Sequence, residues 1–151
     1  MNLATSARES GTGAALQAVS IDLLRLWLLA KHVTWNAAGA GFGSAHAMFD
    51  EFAASYLETA ERVGERLRAV GAGPAGRPQA RGGAPDPIEV PAEDADAAEA
   101  VRRFLVPLDA VAQRVRALLL GADDDDVVTH DLLASVLGTL EHQRWMLRGH
   151  R

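Results

Sequence analysis

His46, Asp50, Glu61 and Glu65 bring one imidazole and three carboxylates into a short span of sequence that reads as a single helix. At about 100° per residue, Asp50, Glu61 and Glu65 fall roughly 40°, 60° and 100° around the axis from His46. All four therefore share one narrow stripe. Hard oxygen donors with an imidazole, carried on helices, are the ligand set with which helical bundles hold iron. Glu61 and Glu65 by themselves would be an ordinary solvated i, i+4 pair, and His46 alone an ordinary surface or capping residue. The metal reading rests on their combination.

The same geometry limits what one chain can do. Asp50 and Glu61 are eleven residues apart, about 16 Å at the helical rise of about 1.5 Å per residue. One metal ion cannot span that gap. A compact site forms only if His46 and Asp50 meet Glu61 and Glu65 of a second copy packed antiparallel. Two-fold symmetry would repeat the contact, so a dimer would hold two such sites.

Four long helices are expected to position these residues. The first runs from about Gly13 to Ala38, with Leu16, Val19, Leu23, Leu26, Trp27 and Ala30 at helical spacing. A glycine-rich turn over Gly39 to Gly43 ends it. Ser44 is the expected N-cap of a second helix reaching Val70, and Gly71 its C-terminal stop. Phe49, Phe52, Tyr56, Ala60, Val63, Leu67 and Val70 give that helix an apolar face beside the ligand stripe. The segment Ala72 to Pro91 is rich in glycine and proline, lacks periodicity and reads as a long crossover. A third helix over about Ala92 to Leu120 contains Pro107, expected to kink it or cap a break. A fourth spans about Val127 to Arg148. Short, long and short connections define an all-α, ferritin-like four-helix bundle with its long crossover between helices two and three.

Composition agrees with one globular domain. The chain has 151 residues, 48% of them hydrophobic and 23% charged, enough for one core of ordinary size. There is no cysteine, which excludes disulfides and thiolate metal sites. Residues 1–12 read as a short flexible arm ahead of a bundle domain over 13–151. The N-terminus lacks an apolar signal core, and no run is expected to reach the roughly 18 apolar residues of a membrane span. The cytoplasm is the expected compartment.

Taken together, Lys31, Trp35-Asn36, Gly39, His46, Asp50, Glu61 and Glu65-Arg66 resemble the Dps miniferritins (DNA-binding proteins from starved cells). The family's first helix carries a lysine, two residues, His-Trp-Asn and then Gly. Its second carries His-x-x-x-Asp, then two acids four apart ahead of an Arg. The resemblance covers nearly the whole chain and returns in Leu140-Glu141 and Trp145 to Arg148. It implies a dodecameric cage that oxidises Fe(II), preferably with hydrogen peroxide, and stores the ferric product. It also implies iron sites at two-fold interfaces, in agreement with the stripe.

Carried over by position, His46 and Asp50 match the family's ligands on one subunit. Glu61 stands where the family usually has Asp, Glu65 matches the bridging glutamate, and Trp35 matches the tryptophan beside the iron. Glu51 falls at a position that nucleates mineral in some members, while Ala47 leaves the neighbouring acidic position empty. Thr34 replaces the family's His before Trp-Asn. A hydroxyl is a poor iron ligand beside an imidazole, reaching metal at best through water. His32 lies about 200° from position 34 and cannot substitute. His32 is expected to be a structural or interface residue, and His130, His142 and His150 to be structural.

Two functional readings follow from Thr34: a ferroxidase of weakened activity, or a degenerate cage that sequesters metal or serves as a shell without catalysis. The acids Asp123 to Asp126 suit either the N-terminus of the fourth helix or a negative pore that draws in ferrous iron. Duplex DNA needs a cationic surface. With a single lysine and a net charge of −5, DNA binding is expected to be weak or absent.

Overall fold

The computed structural model describes residues 3–74, 96–121 and 126–150. They form α1 (Leu3–Asn36), α2 (Phe42–Ala69), α3 (Ala97–Leu120) and α4 (Val127–Gly149). Helix α1 starts ten residues before the Gly13 that periodicity indicated, since its first turns lack the apolar repeat by which a helix is recognised. The part of the third helix expected over residues 92–95, and most of the crossover, lie outside the described residues.

Each helix turns one apolar stripe inward. Leu16, Val19, Leu23, Leu26, Ala30 and Val33 of α1 are buried, as are Phe49, Phe52, Tyr56, Ala60, Val63 and Leu67 of α2. Val70 and Trp27 are half-buried against the same core. At its centre Phe104 of α3 meets Phe49 edge-on, with ring centroids 4.9 Å apart, and stacks with Tyr56 at 6.5 Å. Burying rings of this size contributes about 1.5–3 kcal/mol each. The most extensive packing is between α1 and α2, followed by α3 with α4.

Ion pairs hold the two hairpins in register. Asp22, buried in α1, accepts from Arg114 of α3 at 2.8 Å, and Arg144 of α4 pairs with Asp109 of α3 at 2.7 Å. Pro107 sits within an unbroken α3. The break considered for it does not occur, because packing on both sides outweighs one lost backbone bond. By length and composition alone, Gly11–Asn36 is apolar enough to cross a membrane, contrary to expectation. Its leucines are spent on the bundle core, and more than half of that window is buried.

Candidate metal centre

The turn between α1 and α2 is built on Gly39 (φ +83°) and Gly41 (φ +79°), left-handed conformations that cost glycine little. Gly41 is the N-cap of α2. Ser44, expected to cap, lies inside the first turn, where its hydroxyl donates to the Gly41 carbonyl at 3.0 Å. A left-handed glycine reverses the chain so tightly that the helix starts before the serine. The Ala97 amide donates to the Ala38 carbonyl at 3.1 Å, so the start of α3 is pinned to the same turn. These constraints set the end of α1 beside the beginning of α2.

His46 and Asp50 face residues of α1 across this hairpin. Asn36 is the last residue of α1, so its final carbonyls lack helical partners. The Thr34 carbonyl is one of these, and it lies 3.0 Å from His46 Nδ1. A carbonyl only accepts, so Nδ1 carries the hydrogen and neutral His46 keeps its lone pair on Nε2. This is how metal-binding imidazoles are commonly oriented. Phe42 flanks the ring at 5.4 Å between centroids.

Asp50 accepts from Lys31 Nζ at 2.7 Å. That hydrogen bond and the lysine's charge hold the Asp50 carboxyl below its ordinary range, against a small opposing effect of desolvation, with His46 adding to the lowering. It is therefore ionised at neutral pH. Lys31 Nζ also stands 5.7 Å from the centroid of the Trp35 ring, and that ring is 65% exposed. Thr34 is buried, and its hydroxyl donates to the Lys31 carbonyl at 2.8 Å. The hydroxyl is committed to its own helix instead of standing free beside His46.

Glu61 and Glu65 lie further along α2, exposed like His46, Asp50 and Glu51. Among the described residues no three histidine or acidic side chains of one chain converge on a common point, and the spacing along α2 is the reason. Between the two halves of the stripe stand Leu57 and Ala54, about 20° and 80° from His46 around the axis. Both are exposed, Leu57 by 42%. The stripe thus reads polar, apolar, polar, a pattern that an antiparallel copy of itself would match end to end. Leu28 and Trp35 add exposed apolar surface from the end of α1.

Beside Glu65, Arg66 reaches α4. Its Nε donates to Thr129 Oγ1 at 2.9 Å and its Nη2 to Asp126 at 2.6 Å. Asp126 is in turn the N-cap of α4, accepting from the Thr129 amide at 3.1 Å. Burial raises the Asp126 carboxyl, but the bonds from Thr129 and the charge and bond of Arg66 outweigh it and leave it below its ordinary value. One of the four acids thus has a helix-start role. Asp123 to Asp125 lie outside the described residues. His150 approaches the Ser44 hydroxyl at 3.3 Å, His142 lies 5.6 Å from the Trp145 ring, and Asn36 contacts His32.

Sequence reasoning placed the stripe but passed over Leu57 and Ala54, and it read Lys31 as part of the first-helix pattern without its contact to Asp50. Leu57 was legible as an apolar residue on a polar stripe. Lys31 needed the α1–α2 hairpin to bring it within reach of a residue nineteen positions away.

A sequence profile for the ferritin-like domain matches residues 13–151. The DNA protection during starvation protein of Mycolicibacterium smegmatis is 32% identical over 131 residues, covering 83% of this chain and 68% of that protein. The DNA protection during starvation protein 2 of Deinococcus radiodurans is 28% identical over 134 residues, covering 89% and 56%. Among solved structures, an N-terminal deletion mutant of Dps from Mycobacterium smegmatis superposes with a TM-score of 0.87 at 28% identity, covering 95% of both chains. DpsA14 from Streptomyces coelicolor gives 0.86 at 29% identity, covering 95% and 85%.

Proposed function

The chain belongs to the ferritin-like family, as a Dps miniferritin, and from that premise we propose that it binds, oxidises and stores iron in a homo-oligomeric cage. The observation that carries this is the pairing at the α1–α2 hairpin: His46, its Nδ1 held by the Thr34 carbonyl, beside an ionised Asp50. In a dodecameric cage these residues face Glu61 and Glu65 of a two-fold partner, with Leu57 and Ala54 closing the apolar centre of the interface.

Fe(II) is the substrate of this site. Carboxylates favour Fe(III) over Fe(II) and so ease oxidation. Two ferrous ions giving one electron each to hydrogen peroxide, with two protons, yield two ferric ions and two waters, and no hydroxyl radical is released. Trp35, exposed beside the site, takes up stray oxidising equivalents. Glu51, exposed on the same helix, is a candidate for mineral nucleation. The cage is cytoplasmic in this reading and protects the cell by removing iron and peroxide together. It has little affinity for duplex DNA at physiological salt, since a net charge of −5 opposes the phosphates.

The committed Thr34 hydroxyl favours a second reading, in which the centre is degenerate and the cage holds metal without catalysis. Anaerobic Fe(II) titration into the purified protein, then peroxide, with ferric absorbance followed and Glu65→Ala as control, separates the two. Rapid oxidation lost in the variant establishes the ferroxidase. Oxidation no faster than in buffer for both proteins establishes the shell. Thr34→His then measures what the missing imidazole was worth: a steep rise from near zero marks a degenerate natural centre, and little change marks a competent one.

A further inference from the structure

Lys31 is the one lysine of the chain, and its ammonium sits on a candidate metal ligand. Nζ is 2.7 Å from Asp50 Oδ1, and the lysine side chain is 24% exposed against 57% for the aspartate. A divalent ion taking Asp50 Oδ1 competes with an ammonium at that distance, because the two cations repel. Partly exposed ion pairs are weak, so the bond yields to a metal. The displaced ammonium has a second seat nearby, since it already stands 5.7 Å from the Trp35 ring centroid and an indole face attracts a cation.

We propose that Lys31 is a displaceable counter-ion of the half-site: it occupies Asp50 in the absence of metal, lowers the affinity for divalent ions, and moves onto Trp35 when one binds. The lysine acts through Asp50 and is a positioning residue. The pairing also keeps an ionised carboxylate from standing uncompensated at the hairpin before iron arrives. This inference rests on the metal-site reading above.

Zn(II), which does not change oxidation state, tests it in the assembled protein by calorimetry and by tryptophan emission. Lys31→Met is expected to bind Zn(II) about threefold to tenfold more tightly than wild type at low ionic strength, the gap narrowing as salt screens the ammonium. Lys31→Arg, which keeps the charge, should stay close to wild type. Zn(II) should change the tryptophan emission of wild type, and most of that change should vanish in Lys31→Met and in Trp35→Phe. Equal or weaker binding by Lys31→Met, or an Arg variant that behaves like Met, overturns the assignment. Glu65→Ala separates the two levels of argument. Wild-type binding that is absent, or indifferent to Glu65, removes the metal site and the lysine's role with it. Binding that depends on Glu65 but not on Lys31 removes the lysine's role alone.

Discussion

Mixing subunits tests whether the metal site is shared between chains. His46 and Glu65 are nineteen residues apart on α2, about 28 Å along the axis at about 1.5 Å per residue. A shared site therefore takes His46 from one chain and Glu65 from its two-fold partner. In a cage of His46→Ala chains every site lacks the imidazole, and in a cage of Glu65→Ala chains every site lacks the glutamate. A mixed dimer differs. One of its sites has lost both residues, while the other has His46 from the Glu65→Ala chain and Glu65 from the His46→Ala chain. Random co-assembly from equal amounts makes half the dimers mixed, so about a quarter of all sites are intact. The assay is Zn(II) stoichiometry, and Fe(II) oxidation with peroxide, on cages dissociated together, reassembled and compared with each variant alone. Recovery near a quarter of wild type is expected from two proteins that are separately inactive. Failure to recover any binding, with both variants shown in the same cages, would refute the shared site.

Other predictions concern the scaffold. The Tyr56 hydroxyl is buried with no hydrogen-bond partner among the described residues, and burial holds its proton well above the ordinary range. Tyr56→Phe should stabilise the protein by about 1 kcal/mol and raise the melting temperature by roughly 2–4 °C. A loss of stability in urea titration would show that the hydroxyl is satisfied. Asp126→Ala removes the α4 cap and the partner of Arg66 and should cost about 1–2 kcal/mol at neutral pH. Because the folded carboxyl lies below its unfolded value, its contribution is present above about pH 4 and fades as pH falls through the folded value. Denaturation at pH 7 and pH 3 should therefore show the gap closing in acid. Phe104→Ala empties the centre of the aromatic cluster and should cost about 3–5 kcal/mol by the same measurement at pH 7.

Much of the fold was legible because the chain is built from long, strongly periodic segments. The face from Phe49 to Leu67 could be read from spacing alone, and Gly71 marked the end of α2 correctly. In the structure Gly71 has φ +81°, with the Ala72 amide on the Leu67 carbonyl and the Gly71 amide on that of Arg68, a Schellman ending. The start of α2 was misplaced because a capping serine is the commoner signal and a left-handed Gly41 leaves no side-chain trace. The start of α1 was missed for want of apolar repeats. At the site, the position of the stripe followed from the helical period. The roles of Lys31, of the Thr34 carbonyl and of Asp126 depend on tertiary neighbours that no local pattern encodes.

The bond between His46 and residue 34 runs to the main chain, and main-chain oxygen is the same whatever side chain the residue bears. Replacing the amino acid at 34 therefore alters which donors the centre owns while leaving the presentation of His46 untouched. Ligand inventory and ligand aim are separable variables in this hairpin. A chain can carry threonine here and still hold the candidate ligand His46 by the same main-chain bond.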